Sequence, residues 1–203
     1  ADLSAPDCGE TIIKAAVGHM DGIDGVVSNA GIISGAPLVD QTIEQFDLIY
    51  AINTRATWLL GKAAHPYLAK SKGAFVATAS MSATQPTPGL GFYSSSKAAL
   101  SMLMRQYALE WGPDGIRCNT VSPGPTYTPM TKVGYDDADR RAQRESTIPL
   151  GKLGTAEDVA NAILFLLGPQ SSHISGIDIL VDGGMSNNLM PATGGGTGQK
   201  AST

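Results

Sequence analysis

Gly73-Ala74-Phe75-Val76-Ala77-Thr78-Ala79-Ser80 is an apolar run that closes on a hydroxyl. No other feature constrains the fold as much, because a short run without alternation reads as a strand buried on both faces. Three stretches match it: a strand over 23–28 closed by Asn29-Ala30-Gly31, a run ending at Val121 before Pro123-Gly124, and Ile177–Val181 before Asp182-Gly183-Gly184. Helical patterns precede and separate them, over 5–20, Thr42–Ala69, Tyr93–Trp111 and Thr155–Leu167. Strands alternating with helices predict an α/β chain with an open parallel sheet. Such sheets bind ligands beyond the carboxyl ends of their strands, where Asn29, Ser80 and Pro123-Gly124 fall.

The helical segment that begins after Gly91-Phe92 and is stopped by Gly112-Pro113 carries Tyr93 and Lys97. Four residues apart, the two share one helix face. A phenol ionises near pH 10, and a nearby ammonium is expected to lower that value, making Tyr93 a candidate acid/base toward an alcohol oxygen. Upstream, Thr42 with Glu44-Gln45 suits a capped helix start. Asn53 falls inside that helix despite poor propensity, which predicts a local kink or a hydrogen-bonded water. His65-Pro66 reads as a bend, His19 as a helix-end cation and His173 as a loop residue. Thr155 with Glu157-Asp158 caps the last long helix, and Gly168-Pro169 ends it.

Taken together, Asn29-Ala30-Gly31, Asn53, Ser80, Tyr93, Lys97, Pro123-Gly124 with Thr128, and Asp182-Gly183-Gly184 resemble the short-chain dehydrogenase/reductase family in order and spacing, from residue 1 to about residue 186. The resemblance implies a Rossmann-type doubly wound parallel sheet and hydride exchange between NAD or NADP and a secondary alcohol or ketone. In that role Tyr93 handles the proton and Lys97 lowers its pKa while bonding the cofactor ribose. Ser80 steadies the carbonyl oxygen, and Asn53 anchors a relay water. The cofactor would also meet Asp2, Leu3, Asn29, Ala30, Gly31, Pro123, Gly124, Thr126 and Thr128. Backbone amides of the Pro123-Gly124 turn could meet its carboxamide. The family's subunit contacts imply a homodimer or homotetramer.

The chain departs from the family at its start. Ala1-Asp2-Leu3-Ser4 resembles the end of the family's third strand, and no Gly-x-x-x-Gly-x-Gly precedes Asn29. The expectation is therefore a sheet lacking its first two strands, a partial sequence, and a weak grip on the cofactor diphosphate. The Val26-Val27 strand should then be a sheet edge with an exposed apolar flank. The residue that reads the ribose 2′ position is absent from these residues, so NAD and NADP stay open.

A net charge of −4 argues against nucleic acid as a partner. Arg140, Arg141 and Arg144 are interleaved with Asp136, Asp137, Asp139 and Glu145, which predicts a solvated lid helix rather than an anion site. Cys8 and Cys118 lack metal-ligand spacing and read as buried thiols of a reducing, cytoplasmic protein. No stretch reaches the roughly 18 apolar residues of a membrane span. Residues 127–150, with Tyr127, Met130, Val133 and Tyr135, are expected to form a substrate lid; Met81, Pro88 and Leu90 could line another wall. The apolar lid favours a small hydrophobic carbonyl compound or alcohol, steroid-like or cyclic. One domain is expected over 1–189, followed by a flexible tail over 190–203. A catalytically silent remnant acting as a subunit or interaction protein is the alternative.

Overall fold

The computed structural model describes residues 1–188; the tail expected over 190–203, with the domain boundary at 189, lies outside them. Four parallel strands pair in chain order: β1 (Gly25–Ser28), β2 (Ala74–Thr78), β3 (Arg117–Pro123) and β4 (Asp178–Val181). Their register is continuous, Val26 against Phe75 and Phe75 against Cys118. Among the described residues β1 pairs only with β2, and Val27 is 40% exposed, so this strand is the predicted edge.

Helices α1 (Cys8–Val17), α2 (Ile43–Tyr50), α3 (Ala56–Ser71), α4 (Tyr93–Trp111), α5 (Lys132–Tyr135), α6 (Ala138–Glu145) and α7 (Ala156–Leu167) complete the fold. The pleat sends Phe75, Ala77 and Cys118 into one core with Ile13, Leu68, Leu100 and Met104 from α1, α3 and α4. It sends Val76 and Val121 into another with Val159, Ile163 and Leu166 of α7. Helices on both faces are the reason β2 reads as apolar without alternation. The larger fully buried side chains among them, Phe75, Leu68, Leu100, Met104, Val76 and Leu166, each contribute roughly 1.5–3 kcal/mol of transfer free energy. Tyr107 and Trp111 stack at 3.8 Å beside Phe75. Gly61 lets α3 pass them, since an added Cβ would stand 2.9 Å from ring atoms of Phe75 and Tyr107.

The predicted helix over 42–69 is real but interrupted. Thr42 and Gln45 form a capping box at its start. Over Ala51–Arg55 the backbone then widens into a π-turn before continuing as α3, so Asn53 sits on the predicted irregularity. Lys72, left-handed at φ 53°, terminates α3 beyond Pro66. At α7 a second capping box joins Thr155 and Asp158. The C-terminal carbonyls of α7 are held by Arg117 of β3, whose guanidinium donates to Leu166 O at 2.6 Å, Leu167 O at 3.1 Å and Gly168 O at 3.2 Å. α1 is shorter than the pattern over 5–20 suggested, because Ser4 N donates to the Asp2 carboxylate in a preceding turn and Gly18 closes the last turn. No helix among the described residues is long and apolar enough to cross a membrane.

Candidate active site

Tyr93 opens α4, and Lys97 follows one turn later, only 3% exposed. Its ammonium donates to the carbonyl of Thr78, the last residue of β2, at 2.7 Å. That bond draws the helix start onto the strand end, where Ser80 continues in extended conformation. Ser80 Oγ accepts from Ser82 N at 3.1 Å, which leaves its hydroxyl hydrogen available. Loop and helix are joined from behind by Asn53, which is 1% exposed. Its Oδ1 accepts from Ile32 N at 2.8 Å, while Nδ2 donates to Ile32 O and to Ser96 Oγ, each at 3.0 Å. Both amide hydrogens are thus spent fastening the segment after β1 to α4. Gly31 passes through the gap this creates: an added Cβ would stand 3.2 Å from both Lys97 Nζ and Asn53 Oδ1.

Burial sets the electrostatics. It lowers the Lys97 pKa from 10.5 to about 8, since the charged ammonium has lost water without gaining an anion. It raises that of Tyr93, with the Ser80 hydroxyl pulling the other way. Burial and not the ammonium therefore sets the direction of the phenol's shift, opposite to the sequence expectation. The ammonium is tied to the Thr78 carbonyl and lies over the Tyr93 ring at 5.9 Å from its centroid, with no hydrogen bond to the phenol oxygen. At neutral pH Tyr93 is a protonated donor.

A cleft of about 610 Å³ opens above these groups. Tyr93, Lys97, Ser80, Asn29 and Gly31 line one side, and Pro123, Gly124, Thr126 and Thr128 the other. Thr78 Oγ1 holds Asn29 there by donating to its Oδ1 at 2.9 Å. Met130 and Tyr135, from the segment expected as a lid, line the cleft together with Val159 and Ile163 of α7. The predicted residues outside it are Asn53, buried behind its wall, and Ala30, Asp2 and Leu3, which do not line it. Asp2 instead accepts from the amide and hydroxyl of Ser4, both at 2.8 Å, which lowers its pKa. Of the other predicted wall, Met81, Pro88 and Leu90 do not line this cleft either.

The Pro123-Gly124 turn differs from expectation. Gly124 N donates to Val181 O at 2.9 Å and is not free for a carboxamide. An added Cβ at Gly124 would lie 2.6 Å from Asp182 Cβ, so glycine here serves the close approach of two chain segments. Tyr127 N and Thr128 N are also taken, by Gly154 O and Thr131 Oγ1. Of this turn's amides, Thr126 N has no acceptor among the described residues. Asp182-Gly183-Gly184 supports this floor: Asp182 accepts from Gly184 N and Ser186 N, and both glycines are left-handed at φ 64° and 87°. Burial raises the Asp182 pKa, but these bonds outweigh it and hold the carboxyl ionised.

Sequence reasoning missed Thr78 and Ser96 as supports. Thr78, two residues before Ser80 at a strand end, carried a usable signal; Ser96, one of three consecutive serines, carried none. The α7 wall was also missed, since its residues pattern as ordinary core.

A family model described as enoyl-(acyl carrier protein) reductase matches residues 1–186. The chain is 34% identical over 188 residues to 3beta-hydroxysteroid dehydrogenase 1 of Eggerthella lenta, covering 92% of this chain and 72% of that protein. It is 34% identical to L-rhamnose 1-dehydrogenase (NAD(P)(+)) of Azotobacter vinelandii, covering 93% and 75%. A crystal structure of a Beutenbergia cavernae protein with NADP bound at low occupancy superposes with a TM-score of 0.84 at 29% identity, covering 91% of this chain and 74% of that one. The order of the motifs, the parallel sheet that carries them and the reach of these matches agree, and the chain belongs to the short-chain dehydrogenase/reductase family of oxidoreductases.

Proposed function

We propose that this protein moves a hydride between NAD or NADP and a secondary alcohol or ketone, with Tyr93 as the proton donor and acceptor. The observation that carries the reading is the convergence of the Tyr93 phenol, the sequestered Lys97 ammonium and the Ser80 hydroxyl on one cleft. The cleft also fits the nicotinamide-ribose end of a dinucleotide. Lys97 has two ammonium hydrogens beyond the one given to Thr78 O, Gly31 leaves room for a flat ring, and Thr128 Oγ1, whose hydrogen goes to Thr131 Oγ1, offers an acceptor to the N–H of a carboxamide. When bound, the dinucleotide supplies the hydride acceptor or donor.

In reduction, Ser80 Oγ donates a hydrogen bond to the substrate oxygen. The Tyr93 O–H bond breaks, and its proton goes to that oxygen as the hydride reaches the carbonyl carbon. In oxidation both transfers reverse, and Tyr93 takes the hydroxyl proton. A bound cationic nicotinamide would lower the phenol's pKa, which burial alone raises. Lys97 would hold the ribose, and Asn53 acts from behind by fixing α4 against the segment after β1.

The relatives' substrates differ, and the apolar wall of Met130, Val159 and Ile163 supports a small hydrophobic carbonyl compound or alcohol here. Exposed Trp58, Met102 and Leu109 on α3 and α4, and Leu164 and Phe165 on α7, supply apolar surface for a homodimer or homotetramer in the cytoplasm. Tyr93→Phe tests the assignment: turnover should fall by about a hundredfold or more while nicotinamide fluorescence still reports dinucleotide binding. Turnover comparable to the parent protein would refute it.

A further inference from the structure

Behind the lid lies a second pocket of about 660 Å³, and Met130, Thr131 and Tyr135 line both it and the catalytic cleft. Its far wall is α6, which presents Arg140 and Arg144 one turn apart on the same side, with Gln143 and Thr147 beside them. No carboxylate lines this pocket. Of the four acids interleaved with these arginines in the sequence, Asp139 does not line the pocket and the other three are engaged elsewhere. Glu145 Oε1 pairs with Arg141 at 3.0 Å, and Asp136 pairs with Lys132 and accepts from the Tyr127 hydroxyl. Asp137 caps the helix by accepting from Arg140 N at 2.8 Å. Of the three arginines, only Arg141 forms an ion pair among the described residues. The charge pattern that read as a uniformly solvated face is sorted by the fold into a paired side and an unpaired, pocket-facing side.

We infer that Arg140 and Arg144 form an anion subsite for the substrate, which is then an alcohol or ketone bearing a carboxylate or other acidic group remote from the reacting carbon. The inference rests on the reading of the cleft given above. The apolar body of such a compound would lie against Met130 and Tyr135, with its reacting carbon beneath Tyr93 and its acid at the guanidinium pair. Arginine suits this task because its planar fork meets carboxylate oxygens two at a time. The site is open to water, so its contribution should weaken as salt rises.

The test compares 4-(1-hydroxyethyl)benzoate with 1-phenylethanol, which share a reacting centre and differ in the acid. Binding is measured by calorimetric titration of the full chain, and turnover by nicotinamide absorbance. The acid should bind about tenfold more tightly, and Arg140→Gln with Arg144→Gln should erase that preference. In turnover the double variant should raise KM for the acid and leave its kcat and the neutral alcohol unchanged. Arg141→Gln should keep the preference, since that side chain is committed to Glu145. Equal affinity for the two compounds, or a preference that survives the double variant or falls equally in Arg141→Gln, overturns the subsite. A preference that behaves as expected while neither compound is turned over overturns the reading of the cleft and leaves the subsite standing.

Discussion

Replacing Lys97 with Met should stabilise the fold while abolishing its chemistry. The ammonium is 3% exposed, and its pKa falls from 10.5 to about 8 because burial disfavours charge. At about 1.4 kcal/mol for each tenfold change in proton affinity, holding this lysine protonated costs the folded state about 3 kcal/mol. The folded pKa lies below the unfolded one. The penalty is therefore fully present below about pH 8, where both states carry the proton. Between about 8 and 10.5 the unfolded chain binds more protons than the folded one, so stability rises with pH and the penalty fades. Methionine fills similar volume without charge but leaves the Thr78 carbonyl unpaired, a loss of about 1–3 kcal/mol that does not depend on pH. The net gain at pH 7 is then about 1 kcal/mol. The sharper signal is the difference between parent and variant, which should shift by about 2–3 kcal/mol toward the parent between pH 7 and pH 10. Urea unfolding of both proteins across that range measures it. A difference that stays constant with pH would refute the claim that an unpaired buried ammonium stands at this site.

Two glycines should separate site from scaffold. Gly31→Ala places a Cβ 3.2 Å from Lys97 Nζ and Asn53 Oδ1, so turnover should fall by about tenfold with urea stability within roughly 1 kcal/mol of the parent. Gly124→Ala drives a Cβ to 2.6 Å from Asp182, 2.7 Å from its Cα, and should instead cost about 1–3 kcal/mol of stability. Arg117→Leu should destabilise by about 2–4 kcal/mol in the same assay, because it strips the carbonyls at the end of α7 of their shared donor. A loss below about 0.5 kcal/mol would mean that water replaces the guanidinium there without cost.

Strand and helix existence was legible because it follows from local patterns. The apolar run before Ser80, the capping residues Thr42 and Thr155, and the breakers Gly112-Pro113 and Gly168-Pro169 act within a few residues of themselves. The Tyr93–Lys97 pair was legible for the same reason, since helical periodicity places both on one face. The irregularity at Asn53 was legible as a misfit; its form, a π-turn whose amide reaches Ile32 and Ser96, was not.

Chain order and spacing thus determined which groups can do chemistry here and at which strand ends they stand. Tertiary packing alone decided what those groups are like. Burial of the start of α4 against the end of β2 left Lys97 depressed and Tyr93 raised, where proximity by itself suggested an acidic phenol. The Val181 carbonyl consumed the Gly124 amide that the turn seemed to offer, and the folding of α6 sorted a mixed-charge run into paired and unpaired arginines. Solvation and hydrogen-bond partnership depend on which distant segments arrive at a residue. A one-dimensional pattern of side chains does not contain that information.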